Sequence, residues 1–434
     1  MSVTRNDFQN ELHTSAEKQY DLIVVGGGFA GVSAALSAAR NGLSVLLIDR
    51  AGSLGGAAVN NLVLPFMPYF TVTEDNERID LCRGIFAEIL ASLKEKEPRT
   101  TDFFFAEEDL KLILDRKLIL AGVDLLLHSY LYDILRDGDR ILGVKVANKS
   151  GRQTYRARFY IDATGDADLA YLADCPTRLG REPDHLCQPM TLCFRMANVD
   201  MPAYEQERES IQRMYKEWQG AGKLRNPRED ILIFKPSTVD GVLHFNTTRV
   251  IKHDPTSAVD LTHAEIEARE QVHELVDMLT QNFDAFRHSS LIMTAPAIGV
   301  RESRMIVGEY VLTGEDLKAC TKYEDAIAAG NYEVDIHNPE GSGTSHYFFP
   351  RGAYYTIPYR ALVPMGVDNL LVAGRCISSD HEAQASYRIM PICAAIGEAA
   401  GVAASVAVRD GAKNRDVSVK TVQSILRAQG AFVG

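Results

Sequence analysis

The clearest pattern in the chain is apolar run, glycines, apolar run. Residues 21–25 (DLIVV) read as a short buried strand, and 29–41 are rich in Ala, Leu and Ser with few helix breakers. Asn41-Gly42 stops that helix, and 44–48 (SVLLI) reads as a second buried strand. Strand, helix and strand within about thirty residues form a βαβ unit and imply a parallel sheet. The stretch 22–39 has no charge and approaches transmembrane length, but the glycines inside it break a spanning helix, so strand, turn and helix are expected. The first twenty residues are charged and polar; they are expected to form a flexible tail and do not resemble a signal peptide.

Helices are predicted over 76–97 and 107–121. From Leu125 to Ile161 alternation and turn residues (DGD, Ser150-Gly151) predict a β-meander. Residues 187–350 mix short strands (TLCFRM, ILIFK, VLHFNTT) with charged helices at 203–219 and 263–286, and NPEGSGTS at 338–345 reads as loop. Residues 369–409 return to buried strand and small-residue helix. The fold class expected is α/β with an α+β insert. The first domain takes 21–186 and 351–434, and an inserted substrate or cap domain takes 187–350.

Composition changes this picture little. The chain has 434 residues, 46% hydrophobic and 24% charged, enough for a large core. Its net charge of −12 argues against a nucleic-acid partner, because such binding rests on Lys and Arg contacts to phosphates. Seven cysteines, an odd number without a CxxC, argue against a disulfide framework, a zinc site or a dithiol redox pair. Free thiols and a cytoplasmic location are expected, with no metal and no membrane span.

Gly26, Gly28 and Gly31 form G-x-G-x-x-G between a strand and a helix, and Asp49 closes the next strand 18 residues after Gly31. The glycines allow a tight turn, close approach of backbone to a pyrophosphate, and close helix–strand packing; the acid suits a ribose diol. Neighbouring Arg50 softens the case against a 2′-phosphate. This loop alone leaves NAD and FAD open. Three further features favour the longer ligand. RAGSLGG follows Asp49 with Gly55-Gly56, YIDATGDAD ends a strand at Thr164-Gly165, and NLLVAGR ends one at Gly374-Arg375. In an open parallel sheet ligands lie beyond the carboxyl ends of strands, so start, middle and end of the chain can converge on FAD.

With these motifs, and with GVRESRMIVGEYVLTGED, IPYRALVP and SYRIMPICAAIGEAAGVAA, the sequence resembles FAD-dependent oxidoreductases of the glutathione-reductase-type FAD fold. It is more distantly similar to fumarate reductase and succinate dehydrogenase flavoproteins. The resemblance implies an FAD-binding Rossmann-like sheet with a meander. It also implies FAD contacts from Gly26, Gly28, Phe29, Ala30, Gly31, Asp49, Arg50, Gly55, Gly56 and Ala57. Leu131 neighbours the adenine, Ala163, Thr164, Gly165, Gly374 and Arg375 lie along the cofactor, and Ile389 opens the last helix. That helix, with Pro391 in its first turn, aims its N-terminus at the flavin. No His lies between Leu43 and Phe70, so FAD is expected to be noncovalent.

Flavin chemistry further needs a proton-handling group and a substrate clamp. His381, Arg388 and Arg301 are the first candidates. Behind them come Glu382, Arg304, Tyr354, Tyr355, Tyr359, Arg360, His346, His244, Asn60, Asn61 and Cys376. Each also has a plain structural alternative: a loop histidine, an ion pair of RESR with Glu302 or Glu309, aromatic packing, or an inert thiol. The expected activity is hydride transfer between a small-molecule substrate and the flavin, favoured as oxidation of a C–H bond. Reduction of an activated double bond is the alternative, and a non-catalytic binding protein on the same scaffold is the reading from another class. A homo-oligomer is compatible with the sequence.

Overall fold

The first strand, Gln19–Val25, runs through the middle of a sheet and is closed off on both faces from Leu22 onward. This is why it reads as an unbroken apolar run. In the computed structural model, which describes residues 18–236 and 238–434, it pairs in parallel with Val45–Ile48 on one side and with Gly151–Asp162 on the other. Asp124–Leu126 lies beyond Val45–Ile48, and Leu370–Val372 pairs in parallel with the far edge of Gly151–Asp162. The expected tail lies mostly outside the described residues. It ends sooner than residue 20, since Tyr20 is buried in the sheet and donates its hydroxyl to Asp124 at 2.8 Å.

Gly151–Asp162 serves two sheets. Its first half pairs antiparallel with Arg140–Asn148, completing the expected meander with Tyr130–Asp137. Its second half joins the parallel sheet. Burial follows suit, alternating over residues 155–158 and then continuous from Phe159 to Asp162. The register sets Val25 opposite both Ile48 and Asp162, and Asp162 opposite Val372. Four strands from distant parts of the chain therefore end level with one another.

The helix Phe29–Arg40 covers one face and ends as expected: Gly42 takes φ +90°, and the Asn41 side-chain amide donates to the Ser37 carbonyl at 2.8 Å. Against it lies the long helix Met390–Asp410. A Cβ added at Gly397 would stand 2.0 Å from the Ala30 carbonyl oxygen, and one at Gly401 2.3 Å from that of Ala34. The small residues of AAIGEAAGVAA thus let two helix backbones touch. Met390–Asp410 is apolar and long enough to cross a membrane, yet its apolar stretch is wholly buried in the protein.

Two expectations change. The helix predicted over 76–97 is a hairpin, Phe70–Val72 with Arg78–Asp80, followed by a shorter helix Ile85–Lys96. Asn76 and Gly84 both take positive φ and break the segment there. The expected loop 338–345 is mainly the turn of a hairpin between Val334–His337 and Thr344–Tyr347. The inserted unit has its own four-stranded antiparallel sheet, in the order Ile233–Phe234, Leu243–Phe245, Phe194–Ala197, Ser290–Thr294, and the helices Met201–Gly220 and Ala258–Asn282. Its separate core runs from Met190 to Ile298 and takes in Leu62. From Ile306 onward no buried side chain joins this core and many join the first, so the unit's own core ends near 300, short of the expected 350.

One buried acid gives this fold a pH signature. Glu398 is 2% exposed and accepts a hydrogen bond from the Ile85 N–H at 3.0 Å. Burial pushes its carboxyl up from the usual 4.5 to about 7, against the opposing pull of that N–H and Arg40. The folded state then holds a proton that the unfolded chain releases above the unfolded value, so stability falls as pH rises from about 4.5 to about 7. Glu398→Gln is expected to remove that slope. Urea unfolding should show it close to wild type at pH 5 and more stable by about 3 kcal/mol at pH 8.

Candidate active site

The four level strand ends open onto one cavity of about 470 Å³. Its walls are the turns that follow those strands. Gly26 N–H bonds the Ile48 carbonyl, Ala163 N–H that of Val25, and Ala373 N–H that of Asp162, each at 2.8 Å. Gly26 takes φ +106°, and a Cβ there would fall 2.2 Å from the Ala163 carbonyl oxygen. Gly31 lies behind it, where a Cβ would collide with the Gly26 carbonyl oxygen at 1.7 Å. Gly28 differs from both. Its φ is −72°, and a Cβ there would meet only the Gly56 Cα, at 3.8 Å. Nothing in the protein requires glycine at 28, and the space it leaves belongs to the cavity. This fits a bound pyrophosphate at the N-terminus of Phe29–Arg40.

Asp49 is shaped by the same turn. Its Oδ1 accepts from the Ala51 N–H at 2.6 Å and its Oδ2 from the Gly27 N–H, and each oxygen keeps acceptor capacity for ribose hydroxyls. Burial raises its carboxyl, while the two N–H groups and Arg50 oppose that rise. Leu131 and Asp168 line a small adjoining space with Gly26, Asp49, Arg50 and Thr164, which places Leu131 at the adenosine end. Arg375 binds the middle together. Its Nη1 donates to the Val300 carbonyl at 2.7 Å, its Nη2 lies 3.3 Å from Asp166, and Gly165 at φ +82° leaves room for it. At the far end stand Met390 and Cys393, from the N-terminal turn of Met390–Asp410.

A second cavity, of about 650 Å³, shares Ala57, Asn61, Val300, Arg375, Arg388 and Met390 with the first. Arg388 Nε is buried there without a partner among the described residues, and its Nη2 lies 3.2 Å from Asp335 Oδ2. Asp335 also accepts from Tyr332 Oη at 3.0 Å and faces His337 Nε2 at 3.2 Å. Burial favours protonation of Asp335, but its bonds to His337 and Tyr332 and the charge of Arg388 hold it well below the usual carboxylate range. Arg249 Nη2 lies 3.0 Å from His337 Nδ1. A guanidinium only donates, so Nδ1 accepts and Nε2 carries the proton toward Asp335. Burial and the nearby Arg301 push His337 down to about 3, and the ring is neutral.

The cofactor residues expected from sequence gather as a group. Gly26, Gly28, Phe29, Ala30, Asp49, Arg50, Gly55, Gly56, Ala57, Ala163, Thr164, Gly165, Gly374 and Arg375 line the 470 Å³ cavity, Ile389 lines the larger one, and Gly31 stands behind the wall. The catalytic candidates divide. Arg388 lines both cavities and Arg301 the larger one. His381 lines neither: it opens the helix His381–Tyr387, and its Nδ1 lies 2.8 Å from the fully buried Glu302. After Arg375 the chain turns inward through buried Cys376 to Ser379, and this carries His381 away from both cavities. Glu382 pairs with Lys318 at 2.7 Å, and Arg304 with Asp168. Tyr355 and Tyr359 are buried on Ser386 and the Asn414 carbonyl, Tyr354 packs on Phe432, and Arg360 pairs with Asp325. Cys376 is sealed in the core, and His244 lies buried in the inserted sheet. His346 lines the larger cavity 2.9 Å from Glu333, Asn60 the smaller, and Asn61 both. Sequence reasoning did not single out Tyr332, Asp335 and His337. A signal was present in NYEVDIH, because an acid and a histidine two residues apart on a strand share a face.

The contrast between two glycines tests this reading. Gly28→Val is expected to fold with an unchanged circular dichroism spectrum but to lose bound dinucleotide, measured as ligand absorbance per chain. Gly31→Val is expected to destabilise the fold itself, through the clash at Gly26. A Gly28→Val protein with full ligand content would contradict the assignment.

Comparison with known proteins agrees with the geometry. A digeranylgeranylglycerophospholipid reductase of Picrophilus torridus is 32% identical over 199 residues, 42% of this chain and 48% of the relative. Digeranylgeranylglycerophospholipid reductase 1 of Methanococcoides burtonii is 27% identical over 39% of this chain and 43% of its own. The matches thus span about half the length of these curated relatives. A solved geranylgeranyl bacteriochlorophyll reductase-like protein of Thermoplasma acidophilum aligns over 95% of this chain and 83% of its own, at 16% identity and a TM-score of 0.44. The family model for FAD dependent oxidoreductases matches residues 21–426, and the chain belongs to that family, with FAD as its cofactor.

Proposed function

We propose that the chain moves a hydride between a small organic molecule in the 650 Å³ cavity and noncovalently held FAD in the 470 Å³ cavity. The observation that carries this is the wall the two cavities share, where Asn61, Val300, Arg388 and Met390 border both spaces. FAD when bound supplies the hydride-accepting and hydride-donating centre. The rest falls to the protein. Arg388 and the N-terminus of Met390–Asp410 set a positive potential at the shared wall. The His346–Glu333 pair is the group in the larger cavity suited to hold a proton: burial raises the Glu333 carboxyl, and His346 Nδ1 stands 2.9 Å away. In this reading it takes the role first expected of His381. The fixed Tyr332–Asp335–His337 network orients Arg388.

In one direction the substrate loses a C–H hydride and a proton. In the other the same arrangement reduces an activated double bond; the relatives are named reductases, and that likeness favours this second direction.

Heat denaturation and filtration should release the flavin from the protein. Anaerobic addition of NADH and then NADPH separates the directions: rapid bleaching of the flavin absorbance supports the reductase, and a spectrum that stays oxidised supports oxidation of the organic substrate. Arg388→Met is expected to make the flavin midpoint potential more negative by roughly 10–40 mV, since it removes a charge that favours the reduced form. An unchanged potential would remove Arg388 from the shared wall.

A further inference from the structure

The arginines around the larger cavity are matched by acids with one exception. Arg228 lies 2.8 Å from Asp230, Arg249 3.0 Å from Glu229, Arg388 3.2 Å from Asp335 and Arg375 3.3 Å from Asp166. Arg301 has no ion-pair partner among the described residues. Its Nη1 donates to the Pro189 carbonyl at 2.7 Å and to Thr191 Oγ1 at 2.6 Å, and these bonds fix the plane of the guanidinium. Nε and Nη2, which share the opposite edge, donate to nothing in the described protein. Lys216 also lines the cavity without an acid, but it is exposed, and water compensates its charge.

Arg301 is part-buried and reached only by way of the cavity lining; a guanidinium so enclosed without a counter-ion favours an anion beside it, and a free Nε/Nη2 edge has the spacing of a carboxylate. Four of the five arginines already have acids, and the remaining acid of the lining, Glu333, faces His346, so the place beside Arg301 is open to one negative charge. The wall contributed by Val63, Leu64, Pro65 and Met67, faced by Leu232 and Phe234, is apolar. We infer that the substrate is an organic monoacid: a carboxylate seated on the Nε/Nη2 edge of Arg301, with an apolar body lying along Val63–Met67. This rests on the proposed function of the same cavity and adds the class of molecule that enters it. It also separates the two arginines of RESR, since Arg304 is spent on Asp168 and the Asp166 carbonyl.

Calorimetric titration of the FAD-loaded protein tests the inference with two pairs of probes: phenylacetate against phenylacetamide, and hexanoate against hexanamide. Each acid is expected to bind ~30-fold or more tightly than its amide, the lower end of the range for a desolvated charge pair. Arg301→Gln, which keeps a donor for Pro189 and Thr191, should erase the preference, and Arg301→Lys should keep part of it. Equal binding of acid and amide, no binding of either acid, or a preference that survives in Arg301→Gln would overturn the inference. So would inorganic or dimethyl phosphate binding more tightly than both acids, which would assign the edge to a phosphate. The wild-type comparison stands even where a variant fails to fold. Flavin per chain is measured on the same samples. A wild-type protein that prefers acids but holds no flavin would defeat the redox reading and leave the acid site intact.

Discussion

The register at Asp162 is the constraint on which the site depends. This residue pairs across to Val25 on one side and to Val372 on the other, and so brings the first sixth and the last sixth of the chain to one level. Its side chain then shapes the turn beyond the strand. Oδ1 accepts from the Thr164 N–H and hydroxyl at 3.0 and 2.7 Å, and Oδ2 accepts from the Ala170 N–H at 2.9 Å. A fully buried carboxyl is tolerated because those donors replace water, although burial still raises it. The Ala163–Gly165 turn is therefore built from inside the sheet, and the cavity wall inherits its rigidity.

The same economy of buried charge runs through the second cavity. RESR reads as one motif, but its three charges go three ways. Glu302 turns inward to Gln188 N–H and His381, Arg304 reaches the acidic loop at 166–168, and Arg301 alone faces open space. A strand-like segment sends neighbouring side chains to opposite faces, so this division follows from local geometry. The other arginines of the cavity have acids at hand, and Arg301 is the one whose charge is left unmatched there.

The cofactor half of the site was legible because its signals are backbone signals. A glycine that must take φ +106°, an acid at a strand end and a helix that must approach another through Gly397 and Gly401 leave marks that sequence spacing preserves. The substrate half was legible only in fragments. His381 stood at the right distance from a flavin-side strand, but the inward turn through Cys376–Ser379 depends on Glu302 and Gln384, far away in the chain. Asp335 and His337 had the spacing of a shared strand face, yet their role depends on Arg249 and Arg388, brought together only by tertiary folding. The boundary near 300 was hidden for a similar reason: Ile306 and Ala326–Gly330 look like more of the insert until their partners at Cys376 and Tyr355–Pro358 are seen.

The unit from Met190 to Ile298 is fastened to the walls of the smaller cavity. Asn61 Nδ2 donates to the Ala297 and Ile298 carbonyls at 3.0 and 3.1 Å, and Arg375 Nη1 to that of Val300. These bonds fasten the segment that follows the strand Ser290–Thr294 to two walls of the 470 Å³ cavity, one from the start of the chain and one from its end. Arg301 is the next residue. A wall residue of the smaller cavity, Val300, is thus one peptide unit from the guanidinium that lines the larger. The two cavities are joined by this short covalent path as well as by their common lining. The shared wall and the guanidinium of the larger cavity rest on one continuous segment, residues 296–301, which runs into the start of GVRESR and joins the two spaces.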